Sequence, residues 1–126
     1  MPSRTLRAAL ALAAACAAPA AQAASADFTC RNAQAEVTCT AQKCAVDTTA
    51  FTPMSVSLTG SQLEVCAYSA CQSGTVDLRR ARGDLLVVHA RTGGAGGAAL
   101  VSYDRKQRIA TLLWGNYALP MSCAAD

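Results

Sequence analysis

Two neighbouring segments in the middle of the chain alternate strictly between apolar and polar side chains. Residues 54–59 and 62–66 both follow this pattern, which is typical of a strand with one buried face. Gly60-Ser61 lies between them. A Gly-X pair between two alternating segments predicts a β-hairpin with a type II′ turn.

Shorter versions of the same pattern recur along the rest of the chain. Polar or glycine-containing turns are predicted near 82–84, 104–107 and 115–116, and the glycine-rich segment 92–97 is predicted to be a flexible loop. The predicted strands are 36–40, 54–59, 62–66, 76–80, 85–90, 99–103, 109–114 and 117–123.

About seven or eight short strands without an amphipathic helix predict an all-β fold, a small antiparallel meander closed into a barrel or a sandwich. Closure is expected because an open meander would expose two unpaired strand edges. The sequence shows no internal repeat and no linker, so residues 27–126 are predicted to form a single domain.

The first 26 residues have the composition of a secretory signal peptide. Arg4 and Arg7 precede an uncharged apolar segment, and small residues then form two A-x-A cleavage sites. We predict cleavage after Ala23 or Ala26. The apolar segment is too short for a transmembrane helix, which needs about 20 residues, and we predict no transmembrane segment in the mature chain.

The predicted location is therefore the periplasm or the extracellular space. An alternative remains, because residues 12–16 resemble a lipoprotein signal in which Cys16 would be lipidated. The mature protein would then be an outer-membrane lipoprotein, and its function that of a structural or envelope-associated protein.

Charge gives no reason to expect nucleic acid as a partner. The chain has eleven Lys and Arg against eight Asp and Glu, and Arg4 and Arg7 leave with the signal peptide. The mature domain is nearly neutral, so non-specific binding to polyanions is not expected.

Cysteine is the most informative residue of the mature domain. Removal of Cys16 from the seven cysteines leaves an even number, which in an exported domain predicts a disulfide framework. Two short C-x4-C loops favour pairing within each loop, and the two remaining cysteines would then join the ends of the domain. The predicted pairs are Cys39–Cys44, Cys66–Cys71 and Cys30–Cys123. Zinc is the less favoured alternative, because its sites usually have two residues between paired cysteines.

Candidate catalytic chemistry is sparse, and we predict neither an enzyme nor a cofactor or metal. His89 is the only histidine, and alternation places it with Leu85 and Val87 on one face of a strand. No serine lies in a G-x-S-x-G motif that would mark it as a nucleophile. The basic cluster of Arg79, Arg80 and Arg82 is interpreted as a solvated turn with local ion pairs to Asp77 and Asp84.

Several short motifs resemble a family of bacterial proteins, the periplasmic and membrane-bound inhibitors of c-type lysozyme. The segment Phe28-Thr29-Cys30 and the late Cys123 match that family's first strand and last cysteine. Residues 69–74 partly match its serine-containing inhibitory loop, although Cys71-Gln72 interrupts the motif, and 110–112 match its Ala-Thr-Leu strand beside Trp114.

The resemblance implies an exported β-barrel without catalysis that binds a lysozyme or another envelope or host protein through the Cys66–Gly74 loop. It also implies that the hydroxyl groups of Ser69 and Ser73 form hydrogen bonds with active-site carboxylates of the target. The alternative interpretation of 69–74 is a turn held by a disulfide.

Overall fold

A computed structural model describes residues 26–94 and 97–125 of the chain. Apart from Ala26, the predicted signal peptide, with Cys16, lies outside the described residues. The described residues form ten strands and no helix, and none of them belongs to a helix able to cross a bilayer. The strands are β1 Phe28–Arg31, β2 Glu36–Thr40, β3 Lys43–Asp47, β4 Met54–Thr59, β5 Gln62–Ala67, β6 Ala70–Arg82, β7 Leu85–Arg91, β8 Ala98–Asp104, β9 Ile109–Trp114 and β10 Tyr117–Cys123.

Eight of these strands close into an antiparallel barrel, which confirms the predicted fold class. The order is β1-β4-β5-β6-β7-β8-β9-β10, and β10 pairs back onto β1. The β2–β3 hairpin lies outside the closed ring and joins it where Thr38 pairs with Tyr117 on β10. Closure pairs Cys30 and Arg31 of β1 with Cys123 and Ser122 of β10, residues that an open sheet would leave at two unpaired edges.

The Gly60-Ser61 hairpin has the predicted geometry. Thr59 pairs with Gln62 on either side of the turn, and Gly60 has φ of +60° whereas Ser61 does not have a positive φ. A type II′ turn requires a positive φ at its first central residue only, and glycine adopts it without steric penalty. Two-residue turns also connect β6 to β7 and β9 to β10.

The core fills the barrel interior with alternate residues from seven of the eight barrel strands, and β6 adds only the partly buried Val76. The largest fully buried side chains are Leu58, Leu63, Leu112, Leu119, Val56, Val65, Val88 and Val101. Burial of each such side chain stabilises the fold by about 1.5–3 kcal/mol relative to exposure. The rings of Phe28 and Tyr103 meet in this core with centroids 4.7 Å apart.

Three disulfides are present, with the pairing that the loop spacing favoured. Cys30–Cys123 joins β1 to β10 at the closure of the barrel, across a sequence separation of 93 residues. Cys39–Cys44 and Cys66–Cys71 each join two directly opposite residues of a hairpin. All six sulfurs are therefore oxidised, and the two C-x4-C loops do not supply thiolates in this structure.

The structure differs from the sequence prediction at three strands. β1 was not among the strands predicted from alternation, and only the family resemblance indicated a strand at Phe28-Thr29-Cys30. β3 was not predicted, because all five of its residues are exposed and no burial alternation marks it. β6 begins at Ala70 rather than near 76, so the segment expected to be a loop is mostly strand. Its first residues are small or polar, and their strand conformation comes from pairing with β5 over 62–67.

Candidate functional site

A cleft of about 450 Å³ opens at one end of the barrel. This end, the mouth, carries the 68–69 and 115–116 turns, residues 92–94 after β7, and the segment that enters β4. Its apolar and aromatic lining is Met54, Ala67, Tyr68, Trp114 and Tyr117, with Thr38 from β2 and Thr52 before β4 at the edge. An aromatic concavity with a few polar groups is the usual composition of a binding site.

Trp114 and Tyr117 reach the mouth because they flank the turn between β9 and β10 as a cross-strand pair. The indole Nε1 of Trp114 donates a hydrogen bond of 3.2 Å to the Oγ1 of Thr92. Thr92 is itself buried, with 4% of its surface exposed. This hydrogen bond to a buried residue restrains the indole ring at the wall of the cleft.

Tyr68 lies at the tip of the β5–β6 hairpin and forms the outer lip of the cleft. It is 73% exposed, and its φ of +54° is in the left-handed region. The backbone N–H of Tyr68 donates a 3.0 Å hydrogen bond to the carbonyl oxygen of Pro53, and the Cys66–Cys71 bridge closes the hairpin just behind the turn. A large aromatic residue held exposed in a strained backbone conformation points to a functional role.

The structure separates the two predicted binding serines. Ser69 is exposed in the turn beside Tyr68, whereas Ser73 lies on β6 opposite Glu64, on the outer face of the barrel. Four residues of extended strand place them about 13 Å apart. The expectation that residues 69–74 form one loop is wrong: only Tyr68-Ser69 is a turn, because 70–75 pair with β5.

A second group of polar side chains, Asp77 and His89, lies on the outer face of the barrel. A β-bulge between Val76 and Leu78 leaves Asp77 without an opposite residue, and the Oδ1 of Asp77 is 2.5 Å from the Nδ1 of His89. The hydrogen bond with His89, supported by the charges of His89 and Arg91, lowers the pKa of the Asp77 carboxyl. Both side chains are partly exposed, at 48% for Asp77 and 31% for His89.

Sequence reasoning missed this pair because regular alternation would separate the two residues. Counted from the two-residue turn between β6 and β7, a regular ladder would place Asp77 opposite Ala90, on the other face of the sheet from Leu78 and His89. The bulge shifts the register by one residue, so that Val76 pairs with Ala90 instead. His89 does share the outer face with Leu85 and Val87, as predicted. The chain carries no local sign of the bulge, such as a glycine at 76–78.

The arginine cluster does not form the expected ion pairs with its neighbours. Asp77 pairs with His89, while Arg79 donates a 2.7 Å hydrogen bond to the carbonyl oxygen of Gly60. Arg80 donates to the carbonyl oxygen of Arg79 at 3.3 Å. Successive residues of a strand point to opposite faces, so Arg79 does not share a face with Arg80 and Arg82.

The described residues contain one group of three side chains with metal-ligand atoms close together, namely Glu64, Cys66 and Cys71. The two sulfurs are bonded to each other, so neither is available as a thiolate. The Cys66 sulfur lies 3.7 Å from the Oε1 of Glu64. This group stabilises a hairpin rather than offering a metal site.

Comparison with known proteins gives no identification. No protein-family model, no characterised protein and no solved structure matches the chain.

Proposed function

We propose that this protein is an exported, non-catalytic binding module whose mouth, with the Tyr68-Ser69 turn at its lip, engages a protein partner. The observation that carries the proposal is the position of Tyr68, which is exposed and has a positive φ. It lies at the tip of a hairpin closed by a disulfide, beside an aromatic cleft. Rigid aromatic anchors that lose little entropy on binding dominate many protein interfaces.

Inhibition of a c-type lysozyme is the specific activity that we propose, on the sequence resemblance. Ser69 supports it, because this serine is exposed at the tip of the hairpin, where its hydroxyl group can enter the cleft of a partner. Ser73 contributes less in this arrangement because it lies on the barrel wall. The three disulfides and the signal-like N-terminus support export.

The test is the rate at which a c-type lysozyme clears a suspension of bacterial cell walls in the presence of the oxidised mature domain. We expect inhibition, weakened at least tenfold by Tyr68→Ala or Ser69→Ala, which corresponds to about 1.4 kcal/mol. Ser61→Ala is the matched control, since Ser61 is an exposed serine in the two-residue turn at the opposite end of the barrel. Full lysozyme activity at a large molar excess of the domain would exclude this target.

The location of the binding surface can be tested independently of the target. Trp114 is the only tryptophan of the chain, so a fluorinated tryptophan introduces one fluorine reporter at the mouth. Its resonance should shift when an unlabelled partner binds. A bound partner that leaves this resonance unchanged would place the interface elsewhere.

A further inference from the structure

The outer edge of β3 is unpaired within the part of the chain that the structure describes. β3 is the last strand of the sheet and pairs only with β2 there. It lies outside the closed barrel, and all five of its residues are exposed. An exposed strand edge carries backbone donors and acceptors ready to pair with another strand.

The turn before β3 determines which backbone groups face this open edge. Residues 41 and 42 both have positive φ, the pattern of a type I′ turn, and Thr40 and Lys43 pair across it. The pair next to a two-residue turn is hydrogen-bonded, and hydrogen-bonded pairs then alternate along the hairpin. The N–H and C=O groups of Cys44 and Val46 therefore point away from β2, toward solvent.

The five residues of β3, Lys-Cys-Ala-Val-Asp, are complementary to themselves when paired antiparallel. With Ala45 opposite Ala45 of a second copy, Lys43 lies opposite Asp47 of that copy at both ends of the pairing. Cys44 then lies opposite Val46 of the second copy, and these two residues are the ones whose backbone groups face outward. A shift of the register by two residues in either direction removes both charge pairs.

Two further features prepare this edge for pairing. The Asp47 carboxylate is held at the end of the strand, where its Oδ1 accepts hydrogen bonds from the backbone N–H groups of Thr49 and Ala50 at 2.8 and 2.9 Å. The Cys39–Cys44 bridge keeps β3 in register on β2. Val46, which is 64% exposed, would become covered by the second copy.

We propose that two copies of this chain associate through antiparallel pairing of their β3 strands about a twofold axis at Ala45. The product is a continuous four-stranded ribbon, β2-β3-β3-β2, that connects two barrels. The mouth of each barrel is not required for this contact, so the proposal is independent of the partner-binding function.

Sedimentation equilibrium of the oxidised mature protein, at concentrations from about 10 μM to 1 mM, tests the association. We expect the weight-average mass to rise toward that of a dimer. Lys43→Glu should weaken association at least tenfold, because it places like charges opposite each other, whereas Lys43→Arg should preserve it. A monomeric mass throughout the concentration range would overturn the proposal.

A cysteine crosslink tests the register. Residues opposite each other in a non-hydrogen-bonded antiparallel pair have Cα atoms about 4.5 Å apart, within the range for a disulfide. Ala45→Cys should therefore form an interchain disulfide under mild oxidation. Ala81→Cys, at an exposed alanine on β6, is the matched control and should remain monomeric, with the three native bridges verified by peptide mapping. Equal crosslinking of the two variants, or none for Ala45→Cys, would refute the register.

Discussion

Gly74 lies where β6 passes directly over the backbone at the end of β7. A Cβ atom added there would lie 1.9 Å from the carbonyl oxygen of Arg91 and 2.7 Å from its carbonyl carbon. Both obstacles are backbone atoms, so no change of rotamer can relieve the overlap. We predict that Gly74→Ala destabilises the oxidised domain.

The magnitude follows from how far the two strands must separate. Real Cβ atoms essentially never approach another heavy atom within 3.0 Å, so the backbone must move by about 1 Å or more at a place where the barrel wall is continuous. Overpacking of this kind costs about 1–3 kcal/mol, and a backbone obstacle places the effect near 3 kcal/mol. For a domain of about 100 residues, this lowers Tm by about 12 to 24 °C.

Thermal and urea denaturation of the oxidised protein, followed by the fluorescence of Trp114, measure the change. Gly93→Ala is the matched control, because a Cβ there meets none of the described residues within 4 Å and the φ of Gly93 is not positive. It should change the unfolding free energy by no more than about 0.5 kcal/mol. A Gly74→Ala variant within 1 kcal/mol of the parent, or equal destabilisation by both substitutions, would refute the reasoning.

Three other predictions test the disulfides, the contact between Asp77 and His89, and the role of Tyr68. Removing the Cys30–Cys123 bridge by double alanine substitution should lower the unfolding free energy, measured in urea, by about 4–5 kcal/mol. Removing either hairpin bridge should lower it by about 2 kcal/mol, because those bridges close loops with a separation of 5 residues rather than 93. Equal losses would contradict the explanation by chain entropy. Asp77→Asn should destabilise the domain near neutral pH, because the pKa of the Asp77 carboxyl is lower in the folded protein than in the unfolded chain. In a pH series of melts, its difference from the parent should be full above the unfolded pKa of about 4 and should shrink as the pH falls through the lowered pKa of the folded state. A difference as large at pH 2 as at pH 7 would argue against the His89 contact as its source. Tyr68→Gly should leave Tm unchanged or raise stability by up to about 1 kcal/mol, because glycine adopts the positive φ of this position without strain. The same substitution should weaken partner binding. A clear loss of stability would show that Tyr68 serves the fold.

Much of the fold was predictable because its determinants are local. The bounds of β2, β4, β9 and β10 agree with those predicted from alternation and turn residues, since the side-chain period of two and the preferences of Gly-X turns act over a few residues. β3 and the first half of β6 were not predictable in this way. Neither segment has a buried face with apolar alternation, and their conformation comes from pairing with neighbouring strands.

The candidate site was less predictable than the fold. Ser69 was singled out from the sequence, and it does lie at the mouth, in a turn. Tyr68 was not singled out, because a tyrosine next to a serine carries no sign that its φ will be positive. Trp114 was noted only as part of a resemblance, and its position in the cleft depends on which end of β9 faces the mouth.

The sequence by itself determined the strand-rich composition and the turns, and it favoured the two short disulfide loops Cys39–Cys44 and Cys66–Cys71. Each of these depends on short-range geometry: alternation, turn chemistry, or the few residues within a C-x4-C loop. Only the tertiary structure decided which side chains meet across the barrel. The cleft between Tyr68 and Trp114, the contact of Asp77 with His89, and the requirement for glycine at 74 all depend on strand register, a bulge and closure of the sheet. These are long-range properties, and no local pattern in the chain encodes them.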